Sequence, residues 1–146
     1  MAISDSRRLN MVMAYLYPNL INNGNGTGDY SLYNESDGKG TYLVWHNAEI
    51  AEPTAQQLAD AKEAAVNAFW YKLLRVKRKR LLVRSDWSQG TDVPSAIKTE
   101  WATYRQKLRD LPTTVTKPSF ETLNNQSVNK WYEDIWNLMP TKPGDN

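Results

Sequence analysis

The chain has 146 residues and a formal net charge of +2, with 40% hydrophobic and 23% charged residues. That composition supports one modest domain with a real core, alone or with an accessory arm, and argues against wholesale disorder. Cysteine is absent, which excludes disulfides, thiolate chemistry and cysteine-based zinc sites, and no apolar run approaches the roughly 20 residues that span a bilayer.

The first section reads as short strands separated by turns. Met11–Leu16 is apolar but lacks the longer hydrophobic region and cleavage site of a secretory leader, so the protein is expected to begin in the cytosol. The run Asn22-Asn23-Gly24-Asn25-Gly26-Thr27-Gly28 supplies turn residues. Asp29–Tyr33 alternates polar and apolar side chains, Asp37-Gly38-Lys39-Gly40 forms a credible turn, and Thr41–His46 reads as a returning strand. Tyr42, Val44 and His46 fall on one side of this hairpin, Leu43 and Trp45 on the other.

Thr54 follows Pro53 and precedes Gln57 at capping-box spacing, so a helix is expected to start there. Leu58, Ala61, Ala65, Phe69, Leu73 and Val76 define an apolar stripe, broadened by Val66, Trp70, Leu74 and Leu81. A helix running to Val83 would be about 45 Å long, so a break near Leu81-Leu82 or a projecting end is expected. After Asp86–Pro94 a second helix carries Trp101, Tyr104 and Leu108 and should end at Leu111-Pro112, folding back as an αα-hairpin. Thr113–Pro118 reads as extended, and Val128–Leu138 as a short helix capped by Ser127. The expected fold is therefore α+β: an N-terminal β-hairpin or small antiparallel sheet, a long helix, an αα-hairpin and a short C-terminal helix. Its segments are a β-rich part at 1–52, a helical-hairpin assembly domain at 53–112 and an extension with a flexible tail at 113–146.

Charge is unevenly placed. Residues 1–74 hold five basic and eight acidic residues, and residues 75–146 hold 13 and eight. A basic second half can meet nucleic acid or an acidic patch on a protein. The run Arg75, Lys77, Arg78, Lys79, Arg80 and Arg84 covers several sides of a helix instead of one stripe, so stabilising the helix end and protein contact weigh above nucleic-acid binding. Asp86, Trp87, Ser88 and Gln89 form a structural turn, with Asp86 and Ser88 accepting backbone hydrogen bonds and Trp87 closing the hairpin as an apolar lid. Trp101, Tyr104, Arg105 and Arg109 form a candidate interaction surface together with Lys77, Arg78 and Arg80, in which Arg105 and Arg109 would face a carboxylate-bearing partner. The competing reading is a buried aromatic seam with a solvated cationic edge.

Catalytic, metal and cofactor sites are not expected. His46 is the only histidine and has no ligand cluster around it. A serine–histidine arrangement stays open, but without a nucleophile-elbow motif. Gly24, Gly26 and Gly28 lack the lysine of a phosphate loop.

The paired motifs Arg80-Leu81-Leu82 with Ser85-Asp86-Trp87-Ser88-Gln89, followed by Trp101 through Pro112, resemble the bacteriophage tail assembly chaperone, or tail-fibre assembly-like, family. Glu52-Pro53-Thr54 before a helix is also similar. The specific likeness covers residues 80–112, with weaker likeness from about residue 52 onward, and Gly90-Thr91 departs from the usual leucine-containing continuation. The resemblance implies a non-enzymatic protein that binds a phage tail-fibre or tail structural protein and assists its folding, oligomerisation or attachment. It implies residence in the host cytoplasm during assembly, with retention in the virion tail as the alternative. A permanent structural adaptor is the second reading and a small basic nucleic-acid binder the third. A homo-oligomer is left open; membrane insertion is not expected.

Overall fold

The computed structural model describes residues 4–145. In chain order the elements are α1 (Asp5–Leu16), β1 (Tyr30–Tyr33), β2 (Tyr42–Trp45), α2 (Ala55–Asp60), α3 (Lys62–Arg84), a 3-10 turn (Asp86–Gln89), α4 (Ser95–Thr114), α5 (Phe120–Asn125) and α6 (Val128–Asn137). This is an α+β arrangement with one small antiparallel sheet, as expected, although the helices are distributed differently. Packing groups the chain into two compact units. The first takes the segment up to Phe69 together with Ser119–Ser127; the second takes Trp70–Pro118 and the segment from Val128.

In the first unit the N-terminal segment is helix, not strand. Ser4 caps it by accepting the Arg7 N–H (3.3 Å), and Asp5 sits in the positive first turn. Met11, Val12 and Met13 are all buried, and burial of three consecutive residues requires that helix to be covered on more than one side. The apolar block thus hid a helical pattern whose cap lay seven residues upstream.

The hairpin pairs Tyr30 with Trp45, Ser31 with Val44, Leu32 with Leu43 and Tyr33 with Tyr42. Tyr30 and Trp45 stack across the strands with ring centres 6.3 Å apart, and Tyr17 meets Trp45 at 5.5 Å. An Asn-rich loop closes the other edge of β1 through a parallel bridge between Asn22 and Tyr30. Asp29 organises this loop by accepting the Ile21 N–H (2.7 Å) and the Asn47 amide (2.7 Å). Gly28 is required by space: a Cβ there would lie 2.5 Å from the Ile21 carbonyl oxygen.

Thr54 caps α2 as expected, with the full reciprocal box: Gln57 N–H to the Thr54 hydroxyl at 3.1 Å and Thr54 N–H to the Gln57 side chain at 2.8 Å. The helical run breaks at Ala61 (φ −81°, ψ −10°), not near Leu81-Leu82. The expected stripe also shifts. Ala65, Val66, Trp70, Leu73 and Leu74 are buried, whereas Val76 is 60% exposed.

In the second unit, α4 runs through Pro112 to Thr114 instead of ending at Leu111. Pro112 removes one N–H donor, but so near the end only one ladder bond is lost. The turn is completed around it by Val115 N–H to the Leu111 carbonyl (3.0 Å) and by the Thr113 and Thr114 hydroxyls, which donate to the Asp110 carbonyl. The core joins Tyr104, Leu108 and Leu111, with Leu81, Leu82, Trp101, Val115 and Met139 packed around them. In this way α4 folds back on the end of α3. Helix α6 appears as expected, burying Val128, Trp131 and Ile135.

Candidate functional site

The corner between α3 and α4 is built around a buried arginine. Arg105 sits on α4 with 8% of its surface exposed. One guanidinium nitrogen, Nη1, donates to the Leu82 carbonyl (2.6 Å) and to the Ser85 hydroxyl (2.8 Å), and Nη2 pairs with the Asp86 carboxylate (2.8 Å). The planar fork therefore reaches the end of α3 and the start of the 3-10 turn together, which a lysine cannot do. Leu82 offers one of the helix-terminal carbonyls that need a partner, and a cation there is electrostatically favoured.

Serines complete the corner. The Ser85 hydroxyl donates to the Leu82 carbonyl (2.9 Å), the Ser88 hydroxyl donates to the Ser85 carbonyl (2.7 Å), and Gln89 donates its amide to the Ser88 hydroxyl (3.0 Å). Ser85 and Ser88 are buried. These bonds explain why the segment tightens into a 3-10 turn: the Ser85 and Ser88 hydroxyls each satisfy a backbone carbonyl that a straight helix would have bonded internally, and Gln89 holds Ser88 in place.

Four expectations for this region are corrected, the first being that Ser88 accepts a backbone hydrogen bond: its hydroxyl donates to the Ser85 carbonyl instead. Arg105 does not face outward toward a partner's carboxylate; its carboxylate is Asp86 of the same chain, and Asp86 uses its side chain for that pair instead of capping backbone donors. Trp87 is not a buried lid. It is 55% exposed and meets Trp101 edge-on at 5.1 Å. Trp101 in turn meets the buried Tyr104 at 5.6 Å, so the aromatics run from core to surface. Burial, aided by the charge of Asp145, pushes the Tyr104 phenol up from its ordinary value.

The basic residues divide. Arg78 is half-buried and turns toward α4, where Nη1 donates to the Arg109 carbonyl (3.2 Å). Arg109 itself is exposed. Lys77, Arg80 and Arg84 lie at i, i+3 and i+7 and therefore share one face of α3. The expectation that the basic run has no stripe thus holds for Arg78 but fails for these three. Lys77 lies over the ring of Trp136, 3.2 Å from its centre. Desolvation first, then Arg80 and Arg84, lowers the Lys77 ammonium from its ordinary value. Among the described residues none of these three cations makes an ion pair.

Beside this stripe lies a cavity of about 510 Å³. Leu81, Trp101, Tyr104, Trp136 and Met139 supply its apolar lining. Arg84, Lys142 and Asp145 supply charge, and Lys142 is paired with Asp145 at 3.3 Å. Trp136 and Lys142 escaped the sequence reading because nothing local links them to residues more than 50 positions earlier. Ser85 was visible within the Ser85–Gln89 motif, but its role becomes apparent only once Arg105 is seen beside it.

In the first unit the solitary histidine does meet a serine: Ser31 Oγ and His46 Nε2 are 3.0 Å apart. The Ser31 hydroxyl donates its proton to the Asn23 carbonyl (2.6 Å), so Nε2–H must be the donor to Ser31. That polarity is the reverse of nucleophile activation, in which the imidazole accepts the hydroxyl proton. Ser31 is also fully buried. Among the described residues no group of three or more His, Cys, Asp or Glu side chains is placed to hold a metal ion, and no helix is long and apolar enough to cross a membrane.

Residues 71–129, less than half of the chain, match the model of a family described as phage tail assembly chaperone protein. The matched segment contains the Arg105 corner and the cationic face of α3. No curated protein and no solved structure matches the chain.

Proposed function

We propose that this chain is a non-enzymatic phage tail or tail-fibre assembly protein, which binds a fibre or tail component and assists its folding, oligomerisation or attachment. The observation that carries this reading is the match over residues 71–129, which falls on a corner whose internal polar groups are bonded to one another while its aromatic and cationic side chains reach the surface. Trp87, Tyr132 and Trp136 each expose about half of their surface in the second unit. Side chains of this kind bring large contact area with a polar handle and are enriched at protein interfaces.

In this role the Arg105 corner fixes the end of α3 against α4, and the exposed side chains hold the client. Covering an unpaired edge of a fibre chain would suppress wrong pairing until trimerisation or attachment removes it. The test is co-expression with a tail-fibre protein of the same phage. A higher yield of soluble trimer, together with a complex on size exclusion, is expected; an unchanged yield and no complex would refute the role. Mass spectrometry of purified particles separates a transient helper, absent from them, from an adaptor retained at fixed stoichiometry.

A further inference from the structure

We infer that the cavity between the end of α3, α4 and the segment after α6 is a docking cleft for an acidic peptide segment of the partner, one carrying an apolar anchor side chain flanked by carboxylates. This assignment rests on the assembly reading and names the surface that would perform it.

Three observations converge on it. The cavity's volume of about 510 Å³ is that of a small-ligand or side-chain pocket, and its lining of Leu81, Trp101, Tyr104, Trp136 and Met139 suits an apolar anchor. Lys77, Arg80 and Arg84 form a stripe along one face of α3 with no ion pair among the described residues, and Arg84 lines the cavity itself. Among the described residues of the lining the one carboxylate, Asp145, is already bound to Lys142. The surplus is therefore cationic, and the complementary occupant is anionic.

A polypeptide fits better than nucleic acid. Single strands need open aromatic faces on which bases stack. Here Lys77 covers a face of Trp136, and Trp101 is held edge-on between Trp87 and Tyr104. The aromatics are arranged as walls instead of open stacking platforms.

The probe is a short fluorescein-labelled peptide with a central Leu-Phe pair flanked by glutamates, titrated with the full chain and read by anisotropy. A glutamine-for-glutamate peptide, a serine-for-Leu-Phe peptide and a labelled oligothymidine serve as comparisons. Saturable binding of the acidic peptide is expected, weakened by salt and weakened by about tenfold or more in Arg84→Glu, where like charges meet. Lys142→Glu, outside any helix, and Trp136→Ala, half exposed, should each weaken it as well, so the result does not hang on the folding of one variant. Lys39→Glu, on the hairpin loop of the other unit, should leave it unchanged.

No saturation, equal binding of the glutamine peptide, affinity unchanged in all three cleft variants, or tighter binding of oligothymidine would each overturn the cleft. Capture of the co-expressed fibre protein, run in parallel, separates the two readings. Capture that survives both charge reversals removes the cleft and keeps the assembly role. Arg84-dependent peptide binding without fibre capture does the opposite.

Discussion

Replacing Arg105 by alanine removes the one side chain that ties Leu82, Ser85 and Asp86 together, and its cost follows from what each partner retains. The Leu82 carbonyl keeps the Ser85 hydroxyl at 2.9 Å and the Ser85 N–H at 3.1 Å, so it is not orphaned. Ser85 Oγ, in a residue only 2% exposed, loses its charged donor. The Asp86 side chain is 61% exposed and rehydrates, so that pair contributes only about 0–1 kcal/mol. Hydrogen bonds to charged groups contribute roughly 1.5–3 kcal/mol each, and the low end applies where an acceptor keeps other donors. The Arg105 Nε is buried without a partner among the described residues, and that small penalty is relieved by the substitution. The expected loss is about 3 kcal/mol, including the packing of the aliphatic stem.

Urea unfolding followed by tryptophan fluorescence reads this directly, because Trp70, Trp87, Trp101, Trp131 and Trp136 all lie in the second unit. A loss of this size lowers the midpoint by about 1–2 M urea. Arg105→Lys keeps the charge but not the fork and should lose less. Arg105→Glu places a buried carboxylate beside Asp86 and should lose about 3–5 kcal/mol, so its effect on partner binding would be indirect. In a double-mutant cycle, Asp86→Asn should couple to Arg105 by no more than about 1 kcal/mol, and Ser85→Ala should couple more strongly. A midpoint shift below about 0.3 M for Arg105→Ala would refute the view that this arginine holds the corner.

Trp87→Ala should cost about 1–2 kcal/mol, since the ring is 55% exposed and its main contact is the edge-on pair with Trp101; the same urea titration measures it. Gly28→Ala should cost about 1–3 kcal/mol, because the added Cβ meets backbone at 2.5 Å and the Asn22–Tyr30 bridge must open; lost amide protection at Asn23 and Tyr30 reports it. Thr54→Ala should cost about 1 kcal/mol by removing one arm of the capping box, read as faster exchange at the Gln57 amide. The Ile21 N–H first, then the Asn47 amide, holds the Asp29 carboxyl below its ordinary value of 3.8. Its contribution is therefore fully present above that value and is lost as pH falls through the lower folded value. Asp29→Asn should flatten that acid limb in a pH-dependent melting series.

Local chemistry was the legible part. The Thr54 box, the two hairpin strands and α6 each depend on residues within a few positions of one another, so spacing alone revealed them. Helix α1 was missed because Met11, Val12 and Met13 are adjacent and all buried, which erases the period that marks an amphipathic helix. Pro112 misled in a different way: the rule that proline ends a helix is about interior bonds, and in a last turn closed by threonine hydroxyls only one bond is at stake. Helix α5 had a Ser119 cap, accepting the Thr122 N–H at 3.2 Å, but only six residues in which to show a pattern. The grouping of Ser119–Ser127 with the first unit could not be read at all, because that association depends on packing between segments far apart in sequence.

The residues that suggested a sticky surface and those that form one overlap only in part: Trp101, Tyr104, Lys77 and Arg80 belong to both, whereas Arg105 turns inward. Tyr104, Arg105, Leu108 and Ser88, which carry much of the Trp101–Pro112 and Ser85–Gln89 resemblance, are buried. They specify how α3 turns into α4. Trp136, Lys142 and Arg84, which line the cleft, lie outside both motifs, as do Lys77 and Arg80 if the Arg80-Leu81-Leu82 run is set aside. The buried part of the likeness therefore speaks to how the scaffold is built, and under the proposed assembly role the choice of client would fall to exposed side chains on α3 and after α6. Exchanging those surface residues between two proteins sharing the corner should transfer client preference without moving the urea midpoint by more than about 0.5 kcal/mol equivalent, since exposed substitutions away from special features seldom exceed that. Exchanging the corner residues should do the reverse.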